Sequence, residues 1–210
     1  YLNSLCKILK HIGININTIP VLDVLRSNTS KVIGKRSFSN KENIVKLFGA
    51  ITVTQCLANK IIPVIKHIPG HGCAISDSHF KMPKINLTYE KLNNTDFSPF
   101  KSNPAQLAMT AHILYKKIDP INVTTFSKKI IQDIIRKKIK FKGILISDDI
   151  SMKALKYDLV TNAQKSLEAG CNLVLYCAGN TSDNFKLIKS VPYIDNFTSK
   201  KTSEIYKILR

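Results

Sequence analysis

The residues with the greatest chemical capacity fall in two short stretches. The first is Lys66-His67-Ile68-Pro69-Gly70-His71-Gly72, which continues through Cys73 to Asp77-Ser78-His79 and places three histidines, a lysine and an aspartate within fourteen positions. Imidazoles titrate near neutrality, so such groups can move protons, and Gly70 and Gly72 let the backbone turn sharply between them. The second stretch is Ser147-Asp148-Asp149, two adjacent carboxylates after an apolar run. Neighbours on an extended chain point to opposite sides, so only one of these aspartates can face a given site. Other chemistries draw on the same residues. His67, His71, His79 and Asp77 are all metal-ligand types, yet their spacing matches no recognised metal signature. A nucleophilic Cys73 would require a base and a depressed pKa. The bland reading of a lysine-histidine pair, as solvated surface or a satisfied core histidine, stands until the surrounding elements are considered.

Both stretches end apolar runs of strand character. Ile61-Ile62-Pro63-Val64-Ile65 has the length and β-branched composition of a buried strand leading to Lys66, and residues 143–146 form another leading to Ser147. Three further runs read the same way: residues 14–24, with Asp23 near the end; residues 107–113, with His112 near the end; and residues 172–177. Asp23 can form part of a site wall or can orient a neighbouring loop by accepting backbone hydrogen bonds. Helical spacing alternates with these strands. It predicts helices over residues 2–12, stopped by Gly13; over 41–58, with Ile44, Val45, Phe48, Ile51 and Leu57 on one face; after a Ser127 cap, with Ile130, Ile131, Ile134, Ile135 and Ile139 inward; and over 160–169. Residues 86–96 read as a loop with a short helical turn, and the chain after Thr181 as helix, loop, helix. Strands alternating with helices imply a parallel α/β domain, and sites at several successive strand ends imply a barrel over an open sheet.

These segments resemble glycoside hydrolase family 3, specifically the β-N-acetylglucosaminidases (β-N-acetylhexosaminidases) of bacterial cell-wall recycling. IGININTIPVLDV, VIGKRSF, KHIPGHG, DSH, MTAHI, FKGILISDDISM and AGCNLVLYC occur in the family's order. Ile68 stands where an aromatic is usual, and Cys73 is not the residue expected after the glycine. The resemblance implies an α/β fold of (β/α)8 TIM-barrel type, incomplete here and holding about the last five βα units, with residues 1–210 as one amino-terminally truncated catalytic domain. It implies retaining hydrolysis of terminal β-linked N-acetylglucosamine from peptidoglycan-derived muropeptides. Such a reaction needs a carboxylate nucleophile and a proton donor on opposite faces of the sugar. The resemblance assigns the nucleophile to Asp148 and the acid/base to His79, oriented by Asp77 on a loop that closes over the bond. It assigns sugar binding to Arg36, Lys66 and His67. A related β-glucosidase, a glycoside phosphorylase, or a catalytically silent basic fragment are the alternatives.

Composition narrows the field. The chain carries 32 lysines and arginines against 14 acids, a formal charge of +18, and only Arg26, Arg36, Arg136 and Arg210 are arginine. A basic surface binds polyanions through counterion release, but the lysines are scattered without a basic stripe or stacking aromatics, which argues for compositional bias and against a specific nucleic-acid partner. Five cysteines without paired spacing fit a reducing compartment, so a cytoplasmic location is expected. No apolar run is long enough to cross a bilayer, and Tyr1-Leu2-Asn3-Ser4 does not open a signal peptide. No cofactor and no metal are expected, and the full-length protein is expected to be a monomer.

Overall fold

The structure, a computed structural model, describes residues 1–78 and 81–210. Its centre is a five-stranded parallel sheet in the order β1-β2-β4-β6-β7, formed by Ile16–Asn17 (β1), Ile62–Ile68 (β2), Leu107–Thr110 (β4), Ile144–Asp149 (β6) and Leu173–Leu175 (β7). A two-stranded ribbon of Lys84–Ile85 (β3) and Leu114–Tyr115 (β5) lies beside it. The helices are Leu2–His11 (α1), Glu42–Ala58 (α2), Tyr89–Asn94 (α3), Leu159–Ala169 (α4), Thr181–Ser190 (α5) and Asn196–Leu209 (α6), with a π-helical turn sequence over Ile130–Lys138. This is the parallel α/β arrangement expected from the alternation of periods, and its five strands make a half-barrel. Among the described residues no helix is long and apolar enough to cross a membrane.

Alternation along the strands decides what reaches the site. Ile62 and Val64 of β2, Leu107 and Met109 of β4, and Ile144 and Ile146 of β6 pack on one face of the sheet, together with Ile205 of α6. Lys66 and Asp148 continue the same period-two rows, so a face that is apolar along most of its length becomes charged at the carboxyl ends of the strands. The opposite face belongs to the main core, where Ile65, Ala108 and Leu145 meet the buried isoleucines of the π-helical segment and the aromatic rings of Phe97, Phe100 and Tyr115.

Local chemistry explains most element ends. Ser127 accepts the Ile130 N–H at 3.0 Å and donates to Asp119 at 2.6 Å, the cap expected from the sequence. Asp158 accepts the Thr161 N–H at 3.0 Å at the start of α4, and Gly170, with φ 116°, ends that helix in the left-handed region. Arg136 ties the π-helical segment to the sheet: its guanidinium donates to the carbonyls of Phe141 (3.0 Å) and Gly143 (2.7 Å) and to Asn172 Oδ1 (2.9 Å).

Two expectations change. The strand expected over residues 14–24 is broken into β1 and an isolated bridge between Val21 and Lys66. Pro20 lies between them; it has no N–H to donate, and only its carbonyl joins the ladder, accepting the Lys66 N–H at 3.2 Å. In α2 the buried residues are Val45, Gly49, Thr52, Val53 and Cys56, whereas Phe48 and Ile51 are 46% and 43% exposed. The apolar residues of this helix wrap round two faces, and only one meets the core. The other, with Leu2, Leu5, Ile19 and Phe38, lines a largely apolar groove of about 930 Å³ beside the free edge of β1.

Candidate active site

A cavity of about 390 Å³ opens at the carboxyl ends of the strands and is lined by Lys66, His67, His71, Asp148, Arg36, Ser78 and Met109, among others. The three residues expected to bind sugar and the expected nucleophile are thus brought together from elements far apart in sequence.

Asp148 is half-buried near the end of β6, and its Oδ1 accepts the Asp149 N–H at 2.9 Å. Burial opposes its charge, but His67, His112, that backbone N–H and Lys66 together hold its carboxyl below the usual range, so it is ionised at neutral pH. Asp149 turns away as expected. It accepts the Ser151 N–H (3.0 Å), the Ser151 hydroxyl (2.7 Å) and the Cys177 N–H (3.2 Å), which makes it a brace for the turn.

Lys66 donates to Thr18 Oγ1 at 3.1 Å, and burial followed by the Arg36 charge lowers its pKa, while Asp148 and Asp23 pull the other way. Arg36 is exposed in a short 3-10 turn, with its Nε donating to the Val32 carbonyl at 2.7 Å, and its side chain rims the cavity. The Asp23 carboxylate is completely buried and takes the loop-orienting role of its two sequence readings. Its Oδ1 accepts the backbone N–H groups of His67 (3.2 Å) and His71 (2.7 Å), and its Oδ2 accepts from His67 Nδ1 at 2.6 Å. A carboxylate can only accept here, so Nδ1 carries the proton and the ring orientation of His67 is set.

The loop after β2 is anchored at almost every residue. Tyr115 donates its hydroxyl to the Gly70 carbonyl, Thr29 donates to the Gly72 carbonyl (2.6 Å), the Cys73 N–H donates to Asp96 Oδ1 (3.0 Å), and Ser30 N–H donates to the Ala74 carbonyl (2.9 Å). The glycines serve this close packing: a Cβ on Gly72 would run into the Val24 carbonyl oxygen, and one on Gly70 would come within 2.7 Å of the Asp96 carbonyl oxygen. The thiol of Cys73 donates to Asp96 Oδ2 at 3.0 Å, and burial, with Asp96, pushes its pKa up to about 12. That leaves it protonated and a poor nucleophile.

Two further residues take roles that the sequence did not assign them. Asp96, fully buried, receives Cys73, Thr95 and Arg26 and so fixes the underside of the loop, yet it lies in a polar stretch with no local signal. His112, also fully buried, contacts Thr125 Oγ1 through Nδ1 (2.7 Å) and the Asp149 carbonyl through Nε2 (3.0 Å). The carbonyl must accept, so Nε2 is the protonated nitrogen, and burial holds the ring below the usual histidine range against the pull of Asp148. Its place at a strand end was the only hint.

His79 lies outside the described residues. Asp77 and Ser78 approach that position, and the Ser78 carbonyl accepts the Ala154 N–H at 3.2 Å, which docks the loop on the segment after β6. Among the described residues, no three His, Cys, Asp or Glu side chains are grouped to hold a metal ion.

A family model described as the glycosyl hydrolase family 3 N terminal domain matches residues 5–202. The chain is similar to a β-hexosaminidase of Shewanella frigidimarina, 36% identical over 177 residues covering 81% of this chain and 51% of that protein. A β-hexosaminidase of Nitrosomonas eutropha is 35% identical over 174 residues, 80% of this chain and 49% of that protein. The chain therefore spans about half the length of the curated relatives it matches. Among solved structures, a glycoside hydrolase family 3 β-N-acetylglucosaminidase from Paenibacillus sp. str. FPU-7 matches with a TM-score of 0.87 at 25% identity, covering 99% of this chain and 42% of that one. NagZ from Neisseria gonorrhoeae in complex with N-trifluoroacetyl-D-glucosamine matches with a TM-score of 0.85 at 27% identity, covering 97% and 59%. A family match over nearly the whole length, on a parallel half-barrel with its charged groups at the strand ends, leaves one conclusion: this chain belongs to the glycosyl hydrolase family 3 N-terminal domain family.

Proposed function

We propose that this chain carries the catalytic groups of a retaining β-N-acetylhexosaminidase that removes terminal N-acetylglucosamine from muropeptides in the cytoplasm. The observation that carries this reading is Asp148 at the strand end, sharing one cavity with Lys66, His67 and Arg36. In the first step Asp148 attacks the anomeric carbon and the leaving oxygen takes a proton from His79, whose basicity Asp77 raises. In the second, His79 takes a proton from water as the glycosyl-enzyme is cleaved. Lys66, Arg36 and His67 hold sugar hydroxyls and leave the proton transfers to His79. Residues 1–210 act as a single catalytic domain supplying about the last five units of the barrel, and the assembled enzyme is a monomer.

Hydrolysis of an aryl β-N-acetylglucosaminide tests the reading, with the chain alone and with the amino-terminal half of a relative added. Asp148→Ala abolishes turnover; activity that survives this change would sink the assignment. Aryl glucoside and added phosphate separate the β-glucosidase and phosphorylase alternatives. One observation favours a second reading, a catalytically silent chain: among the described residues the β1 edge is open, and its apolar groove of about 930 Å³ lies beside Arg36 and Lys66, on one side of the sugar site. Turnover by the unsupplemented chain would exclude it.

A further inference from the structure

Among the described residues, one buried polar side chain of the cavity has no partner. His71 is only 2% exposed, and among the described residues neither Nδ1 nor Nε2 of its ring has a hydrogen-bond partner. The residue is otherwise well held. Its N–H donates to Asp23 Oδ1 at 2.7 Å, its carbonyl accepts the Ala74 N–H at 3.1 Å, and its ring packs edge-on against His67 with centroids 5.6 Å apart. Burial disfavours the charged form and holds the ring below the usual histidine range, although Asp23 opposes this. A neutral imidazole presents one N–H donor and one lone-pair acceptor, and burying both unpaired carries the full desolvation penalty of each. Buried polar atoms of this kind call for an explanation, and His71 is one of the residues around the same cavity as Asp148 and Lys66.

We propose that His71 is a ligand-contacting residue of this cavity, its ring accepting one hydrogen bond from, and donating one to, the hydroxyl or acetamido groups of a bound neutral amino sugar. The identity of the ligand rests on the glycosidase reading; the role of His71 rests on the geometry. Lys66 and Arg36 are donors only, Asp148 is an acceptor reserved for bond formation, and His67, with its proton on Nδ1, offers a single acceptor at Nε2. A hydroxyl whose lone pair is held by a cation still has a proton to place. His71 is a second neutral acceptor at the cavity wall and supplies such a place for a further hydroxyl, while its N–H takes a lone pair of the sugar.

The test compares the parent chain with His71→Phe and His71→Gln, measuring N-acetylglucosamine binding by NMR titration and the Tm without ligand. His71→Phe weakens binding roughly 5- to 30-fold, the effect of one to two neutral hydrogen bonds. It leaves the Tm unchanged or raises it by about 2–4 °C, because the ring contact with His67 is kept and the orphaned polar atoms are gone. His71→Gln retains a donor and an acceptor and recovers part of the affinity. Binding by His71→Phe within about twofold of the parent overturns the inference, since even one weak hydrogen bond exceeds that. So does a Tm fall of more than about 5 °C, which would mark a histidine that holds the fold. Absence of saturable binding by the parent overturns the glycosidase reading, and this inference with it; binding by the parent that survives His71→Phe overturns this inference alone.

Discussion

Replacing Asp23 by asparagine tests the central electrostatic device of the site. Three donors converge on one fully buried carboxylate: the His67 and His71 N–H groups on Oδ1 and His67 Nδ1 on Oδ2. Asparagine keeps the shape but offers a carbonyl on one side only. If that carbonyl keeps both backbone donors, the amide NH2 faces Nδ1, and His67 must change tautomer or turn away. One charge-assisted hydrogen bond is lost outright and the other two become neutral, so Asp23→Asn is expected to cost about 2–4 kcal/mol, or roughly 5–12 °C in Tm. Burial pushes the Asp23 pKa up, but the charge and hydrogen bond of His67, with His71, outweigh it and leave it lowered. A folded-state pKa below the unfolded one contributes stability that is fully present above about pH 4 and is lost as pH falls through the folded value. The asparagine variant lacks this contribution, so the gap between parent and variant is full at pH 7 and closes below about pH 4. Urea denaturation followed by circular dichroism at pH 7 and pH 3 measures both. A gap under about 0.5 kcal/mol at pH 7, within the range of an ordinary surface change, or a gap that is the same at both pH values, refutes the reasoning.

Gly72→Ala drives a methyl into the Val24 carbonyl and, at 2.8 Å, Asp96 Oδ1; the loop after β2 must shift, and a loss of at least about 2 kcal/mol is expected in the same urea assay. Thr125→Val leaves His112 Nδ1 buried without its 2.7 Å partner and should cost about 1–3 kcal/mol, while Thr125→Ser should cost less than half as much. Alkylation by iodoacetamide at pH 8 should label the exposed Cys177 first among the five cysteines and leave Cys73, with its pKa of about 12, untouched until the chain unfolds, as peptide mass analysis would detect.

The amino-acid sequence by itself determined the alternation of strand and helix, the strand ends that carry charge, and the family. Those features are local: β-branched runs ended by Lys66 or by Ser147-Asp148, isoleucines at helical spacing after Ser127, and motif residues that keep their order along the chain. The separate orientation of Asp148 and Asp149 was also legible, because it follows from the two-residue period of an extended chain. Tertiary structure alone decided which polar groups meet. Asp96 bonds to Cys73, twenty-three residues away, and His112 reaches the Asp149 carbonyl on the neighbouring strand, and nothing near either residue announces its partner. The two readings of Asp23 were equal in sequence, and packing chose between them by enclosing its carboxylate beneath the loop after β2. Gly70 and Gly72 read in sequence as places where the backbone turns sharply, and the structure adds that other backbone passes too close there for a Cβ. Phe48 and Ile51 share the apolar face read from the sequence because period records only that a face is apolar; whether a face is covered depends on what packs against it, and among the described residues this one is left partly open beside the β1 edge.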